Sequence, residues 1–521
     1  MLKPLNALVV FSLTSSLVLS LQARAESFEE FFEKFHQNPA EMMNRLPVKE
    51  GASAPERGLP ADSVFEAKTK AREKILKGSQ GLNTEGLDAE AAMNDRIEHL
   101  TDVKKSSIVR KLSKMSSSAK LSESPWSDDY WPIYKGQTAW RWADPATPTS
   151  SNFDDYVESV FPGGGSTLKS GGADKMMLDM ILGDRVRASS IENLSPAEKY
   201  DLLVGDEART LTRSQYEAGV SYFADSGKVE TWMGLCHGWA PAAYMAKRPK
   251  NAIKVKTTTA SGQVVEIPFY PSDIKALTTL LWSNGTAQTK FIGSRCNDKE
   301  PERDEHGRPR NPDCIDTNPA TWHLAVVNQI AVSQRSFVID ATYDYQVWNQ
   351  PVLAYSYKYF NPKSSQETED LEAAAVTVTD FTEDRYRAFR SPRSHKIVGV
   401  QMDLTYIAEN HPSTERTDTE RNDHRNTVSY RYDLELDPQG QLVGGEWYEN
   451  EHPDFLWTPE KDAVIDTVGD QILDDRSDRT AWDGKTSVPE AWKTAIKQGS
   501  RYAQPLRRLV HTLNVLSQIE P

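Results

Sequence analysis

The chain is poor in cysteine, with three among 521 residues. At most one disulfide can therefore form, and one thiol is left over. It also lacks a long apolar run. The longest, residues 7–21, is too short to cross a bilayer comfortably, and nothing later is longer, so no membrane-spanning segment is expected. Basic residues nowhere gather into a stripe with interleaved aromatics. With a formal net charge of −14, the chain should repel phosphate backbones, which excludes nucleic acid as a partner. EF-hand spacing is missing, so acidic side chains can attract Ca²⁺ but no ligand set can be named. Internal repeats are missing too.

What is present begins with an export signal. Lys3 supplies a positive start, the apolar run follows, and Ala23-Arg24-Ala25 offers small residues for cleavage before Glu26. The reading is a signal peptide over 1–25 and a product that is secreted, periplasmic or at the cell surface. In such an oxidising compartment a disulfide persists. Cys296 and Cys314 bracket a polar segment that cannot order itself by burial, so a bridge between them is the expected staple.

Residues 26–125 are charged and nearly free of aromatics after Phe35. Phe28, Phe31, Phe32 and Phe35, then Met93, Ile97, Leu100, Ile108 and Leu112, follow a helical period. Breaker-rich stretches such as Gly51-Ala52-Ser53-Ala54-Pro55 lie between them, and 113–120 has the composition of a solvated linker. This predicts a helical N-terminal extension, or a pro-segment that covers an active site. From Trp126 aromatics crowd the chain, marking a packed catalytic domain over 126–391. Helices are predicted over 196–203, 206–224 and 273–282, strands over 253–257, 264–269, 322–332 and 336–339. Residues 392–521 should form a β-rich region with a hairpin at Asp437-Pro438-Gln439-Gly440 and a closing helix over 491–519. The predicted class is α+β, with an antiparallel sheet.

Cys236 is the leftover thiol. It lies where Gly234 turns the chain toward a helical run, so the helix dipole should favour its thiolate and the first N–H groups should receive an oxyanion. His237 is adjacent, but consecutive helical side chains point about 100° apart. His323, read as the head of an apolar strand, is the better base, because a polar ring there needs a reason. Asp340 ends the next strand, Phe337-Val338-Ile339-Asp340, and is placed to orient the imidazole. A buried inert thiol, a satisfied core histidine and a strand-end aspartate are the structural readings of the same three residues.

A cysteine at a helix start, a histidine at a strand head and Asp340-Ala341-Thr342 resemble a transglutaminase core. Two hexapeptides sharpen this. Cys236-His237-Gly238-Trp239-Ala240-Pro241 resembles the cysteine motif of the transglutaminase elicitor family. Val347-Trp348-Asn349-Gln350-Pro351-Val352 resembles the start of the surface peptide that plants recognise in those proteins, although Leu353-Ala354-Tyr355 then departs from it. The resemblance covers about 121–359 and implies a cysteine-protease-like core, a Ca²⁺-assisted enzyme, and protein substrates bearing Gln and Lys. Asp273 and Asp316 stay open as alternatives to Asp340. Trp232 is a candidate oxyanion donor, and Trp232, Trp239, Trp322, Tyr343 and Trp348 are candidates to shield the site from water. The implied activity is protein-glutamine γ-glutamyl transfer through a Cys236 thioester. A papain-like peptidase, an amidohydrolase or a deamidase would use the same thiol, and a non-catalytic binding protein would not use it.

Overall fold

Alternating apolar and polar side chains over 396–436 build the backbone of the molecule. In the computed structural model, β9 (Lys396–Ala408) and β10 (His424–Leu436) pair antiparallel along their whole length. The structure describes Lys34, Met42, Met43, and residues 95–145, 147, 191–226, 229–259, 262–293, 302–303, 314, 317–342, 346–449, 452–475 and 480–519. The expected signal peptide and most of the N-terminal segment lie outside these residues, as do Cys296, Asp316 and Tyr343.

The main sheet has the strand order β11-β10-β9-β6-β5-β12-β4. Here β4 is Thr289–Gly293, β5 Val338–Asp340, β6 Asn349–Phe360, β11 Leu442–Trp447 and β12 Phe455–Pro459. Three short strands flank it. β1 (Ser118–Lys120) and β7 (Glu367–Thr368) pair with β6, and β8 (Val376–Thr377) pairs with β9. β2 (Ile253–Thr258) and β3 (Val264–Phe269) form a separate hairpin. The strand β6 is the spine: its first residues pair with β5 and the rest with β9. The β-rich stretch expected after 392 therefore shares one sheet with the strands that carry Asp340 and Asn349. Period-two alternation marks a strand but not its partner.

Two helices lie against this sheet, Cys236–Met245 and Pro319–Val326, and their residues share one apolar core with β6, β9 and β10. A second core joins the helices Pro196–Val204 and Pro271–Asn284 to the C-terminal helices Lys493–Ser500 and Arg507–Ser517. Ser195 caps the first of these as expected, in a capping box with Glu198. The closing helix is broken in two, with Pro505 between the halves.

Two expectations are corrected. Residues 322–332 are not a strand. His323 lies in the Pro319–Val326 helix, capped by Asn318, and a π-helical turn, Val327–Val332, continues it. An unbroken apolar run cannot tell a buried strand from a buried helix, and Pro319 after Asn318 is a helix start. The stretch 113–120 is not a linker either. Ser118–Lys120 forms β1 in register with Ser356, Tyr355 and Ala354, and Leu112 is fully buried. Serine and lysine describe only which side chains meet water; the backbone still pairs. Ile97, Leu100 and Leu112 reach the core from short 3₁₀ turns and not from a long helix.

Candidate active site

Gly234 and Gly238 set the position of the thiol. A side chain on Gly234 would collide with the Tyr130 carbonyl, which instead accepts a hydrogen bond from the Leu235 N–H at 2.5 Å. One on Gly238 would strike Ser283 and the Thr279 carbonyl, so its absence lets the Cys236–Met245 helix dock closely on Pro271–Asn284. Cys236 is the first residue of its helix and is buried, at 3% exposure.

Around its sulfur stand residues from the start of β6. The thiol donates to the Val347 carbonyl at 3.6 Å, and the Asn349 side-chain amide donates to Sγ at 3.5 Å. The orientation of that amide is determined by a third residue. Trp457 on β12 donates its indole N–H to Asn349 Oδ1 at 2.8 Å. An indole can only donate, so the oxygen must face Trp457 and the NH₂ must face the sulfur.

Asp340 comes to the same place. It is directly opposite Asn349 across the β5–β6 pair, so the two side chains share a face of the sheet. Its carboxylate accepts from the Trp348 N–H at 2.9 Å and from the Thr342 hydroxyl and N–H at 2.9 and 3.2 Å. This ties the end of β5 to the start of β6. Asp340 and Glu409 both lie within electrostatic reach of Cys236. Glu409 follows β9, accepts from Gln350 Nε2 at 2.6 Å, and is pushed up to about 7 by burial.

Burial, with smaller contributions from the two carboxylates, pushes the Cys236 thiol up to about 11, against the lowering effect of Asn349. At pH 7 only about one thiol in 10⁴ is then ionised.

His323 is not beside this thiol. Its Nδ1 shares a 2.8 Å hydrogen bond with the Tyr432 hydroxyl, and its ring packs edge-on against Tyr357 and Tyr432. Tyr357 and Asn349 are eight residues apart on β6, roughly 26 Å of strand. Full burial lowers the ring to about 3, so it is neutral. The expected hydrogen bond between His323 and Asp340 is thus replaced by separate partners at separate ends of the sheet, because the histidine sits on a helix packed over β10. Asp273 is elsewhere as well, in a fully buried 2.6 Å ion pair with Lys199.

Trp239 is fully buried, and its indole N–H is directed to the Trp126 carbonyl at 3.0 Å. It pins the helix and is not aimed at an oxyanion. Trp232, by contrast, is buried in the cluster that borders Cys236 together with Val347, Trp457 and, from the N-terminal segment, Met42 and Met43. Met43 Sδ lies 3.7 Å from Asn349 Nδ2. Asn349, Glu409 and Met43 are the site residues that motif reading missed. An amide that opens an apolar strand was the available signal for Asn349; nothing in the sequence marked Met43.

Cys314 is buried. Among the described residues no group of three or more His, Cys, Asp or Glu side chains is arranged to hold a metal ion. No described helix is long and apolar enough to cross a membrane.

The pattern of the transglutaminase elicitor family matches residues 188–476, more than half of the chain. The protein belongs to that family. Its fold, mixed helix and antiparallel sheet, is similar to that of the GP42 transglutaminase from Phytophthora sojae, at 21% identity and a TM-score of 0.46, covering 69% of this chain and 89% of that one. No curated protein matches the chain.

Proposed function

We propose that this protein is a secreted protein-glutamine γ-glutamyltransferase with Cys236 as nucleophile. The observation that carries the reading is the alignment, within a family of transglutaminases, of a helix-start thiol with an oriented amide donor and a neighbouring carboxylate. Cys236 attacks the side-chain amide of a protein glutamine, ammonia leaves, and a thioester remains. A lysine amine of a second protein then takes the acyl group as an isopeptide. Asp340, the carboxylate on the face shared with Asn349, accepts the thiol proton and passes it to the leaving ammonia. Trp232 and Trp348 shield the thioester from water.

Residues 1–25 act as the signal peptide, a Cys296–Cys314 bridge staples the polar loop, and the N-terminal segment keeps the enzyme latent. Ca²⁺ assistance follows from the resemblance alone. The described residues offer no ligand cluster for it, so no step runs through the ion. The deciding assay is incorporation of a labelled primary amine into a glutamine-rich protein, with and without Ca²⁺. Incorporation once limited proteolysis has released the N-terminal segment, and none by Cys236→Ala treated alike, is expected; equal incorporation by both would remove the assignment.

A further inference from the structure

Most of the N-terminal segment lies outside the described residues, yet Met42 and Met43 are placed and buried, at 3% and 1% exposure. They fill the apolar cluster formed by Trp232, Met233, Val347 and Trp457. The Asn349 Nδ2 lies within reach of two sulfurs, 3.5 Å from Cys236 Sγ and 3.7 Å from Met43 Sδ. The donor oriented by Trp457 is thus shared by the thiol and by a side chain inserted from a distant part of the chain.

Methionine and glutamine side chains are both unbranched and of nearly equal length. Counted from Cα, the methionine sulfur is the third side-chain atom, the place that the carbonyl carbon holds in glutamine. A glutamine in the Met43 slot would set that carbon beside Asn349 Nδ2, the same donor that holds the thiol sulfur. As Sγ adds to the carbon, negative charge develops on its oxygen, where a fixed amide N–H stabilises it. A thioether has neither a carbonyl to attack nor a leaving group, so Met43 can occupy the slot without being consumed.

We infer that the slot lined by Trp232, Val347, Asn349 and Trp457 is the acyl-donor subsite, that it accepts an unbranched glutaminyl side chain, and that Met43 fills it in cis as an unreactive stand-in. This rests on the transglutaminase reading above and adds the donor subsite and the residue that blocks it. Sulfur at Cys236 forms a bond to the donor carbonyl carbon, the C–N bond breaks, and the amide nitrogen leaves as ammonia with the thiol proton.

Two variants of the full chain test this, with circular dichroism as the check on folding. In Met43→Ala, alkylation of Cys236 by iodoacetamide should speed up at least about tenfold, as an emptied slot raises the population of accessible thiol. An unchanged rate in a folded variant would overturn the occupancy. Met43→Gln presents a substrate in place. The introduced glutamine should lose ammonia to form a thioester with Cys236, be hydrolysed to glutamate, or take up a labelled primary amine, and none of this should occur with Cys236→Ala added. A folded Met43→Gln chain whose glutamine stays intact would overturn the subsite. Failure of the broader reading is told apart by the Met43→Ala chain acting on an external protein. Amine incorporation there with an inert introduced glutamine sinks only the subsite; no incorporation anywhere sinks both.

Discussion

Trp457 and Asn349 form a donor–acceptor pair at 2.8 Å that points the asparagine NH₂ at Cys236. The two residues lie on strands separated by β5, and the consequence falls on a third element, the helix that begins at Cys236. A side-chain amide left to itself can turn over; the indole prevents that.

If the Asn349 amide stabilises the oxyanion, Asn349→Ala should lower kcat by about 10²–10³ with little change in KM. Trp457→Phe keeps the packing but frees the amide to turn over, and should cost less, about tenfold in kcat. Steady-state amine incorporation measures both. A larger loss in Trp457→Phe than in Asn349→Ala would show that the indole acts for itself.

Asp340 and His323 should separate cleanly. Asp340→Asn is expected to reduce turnover by at least about 10² while the fold is kept. His323→Phe leaves the Tyr432 hydroxyl with a lost partner and should cost about 1–3 kcal/mol of stability in urea unfolding. Turnover per folded molecule should stay within about threefold, since the ring lies at the far end of β6. Collapse of turnover in a folded His323→Phe chain would return the base to that position.

Glu409 gives a pH signature. Its folded value is raised from 4.5 to about 7 by burial, so between those values the unfolded state has already released the proton that the folded state holds. The folded state therefore loses stability as pH rises through this window, and below about 4.5 the term is fully favourable. Glu409→Gln removes the ionisation. Its melting temperature should exceed that of the wild type above pH 7, and the gap should close at pH 4. The variant also removes a negative charge near Cys236, so the pH profile of Cys236 alkylation should move to lower pH. A gap that widens toward pH 4 would contradict the burial argument.

The stretch 113–120 should resist proteases. The Ser117 carbonyl accepts from the Tyr357 N–H at 2.8 Å, the Ser116 carbonyl from the Tyr355 hydroxyl at 2.8 Å, and β1 is paired with β6. Limited proteolysis followed by mass spectrometry should find no early cut there. Rapid cleavage within 118–120 would mean that β1 opens readily from the sheet.

The local setting of Cys236 could be read directly from its neighbouring residues. An odd number of cysteines leaves at least one thiol, and Gly234 before Cys236 and the small residues after it specify a helix start with room for close packing, because those demands are local. Asp340 stands at the end of a short apolar strand as expected, but its carboxylate accepts from Thr342 and Trp348 and not from His323. The setting of His323 could not be read in this way. Its apolar neighbours are equally compatible with a buried strand and a buried helix, and in the helix the ring turns to Tyr432, away from the thiol. The surroundings of Cys236 are built by Asn349 on β6, by Trp457 on β12 acting through Asn349, and by Met43, far upstream, which meets the same amide. Contacts over such separations follow from strand order and packing, which no local pattern encodes, and so the tertiary structure alone decided that the thiol meets an oriented amide and that the same amide meets a methionine.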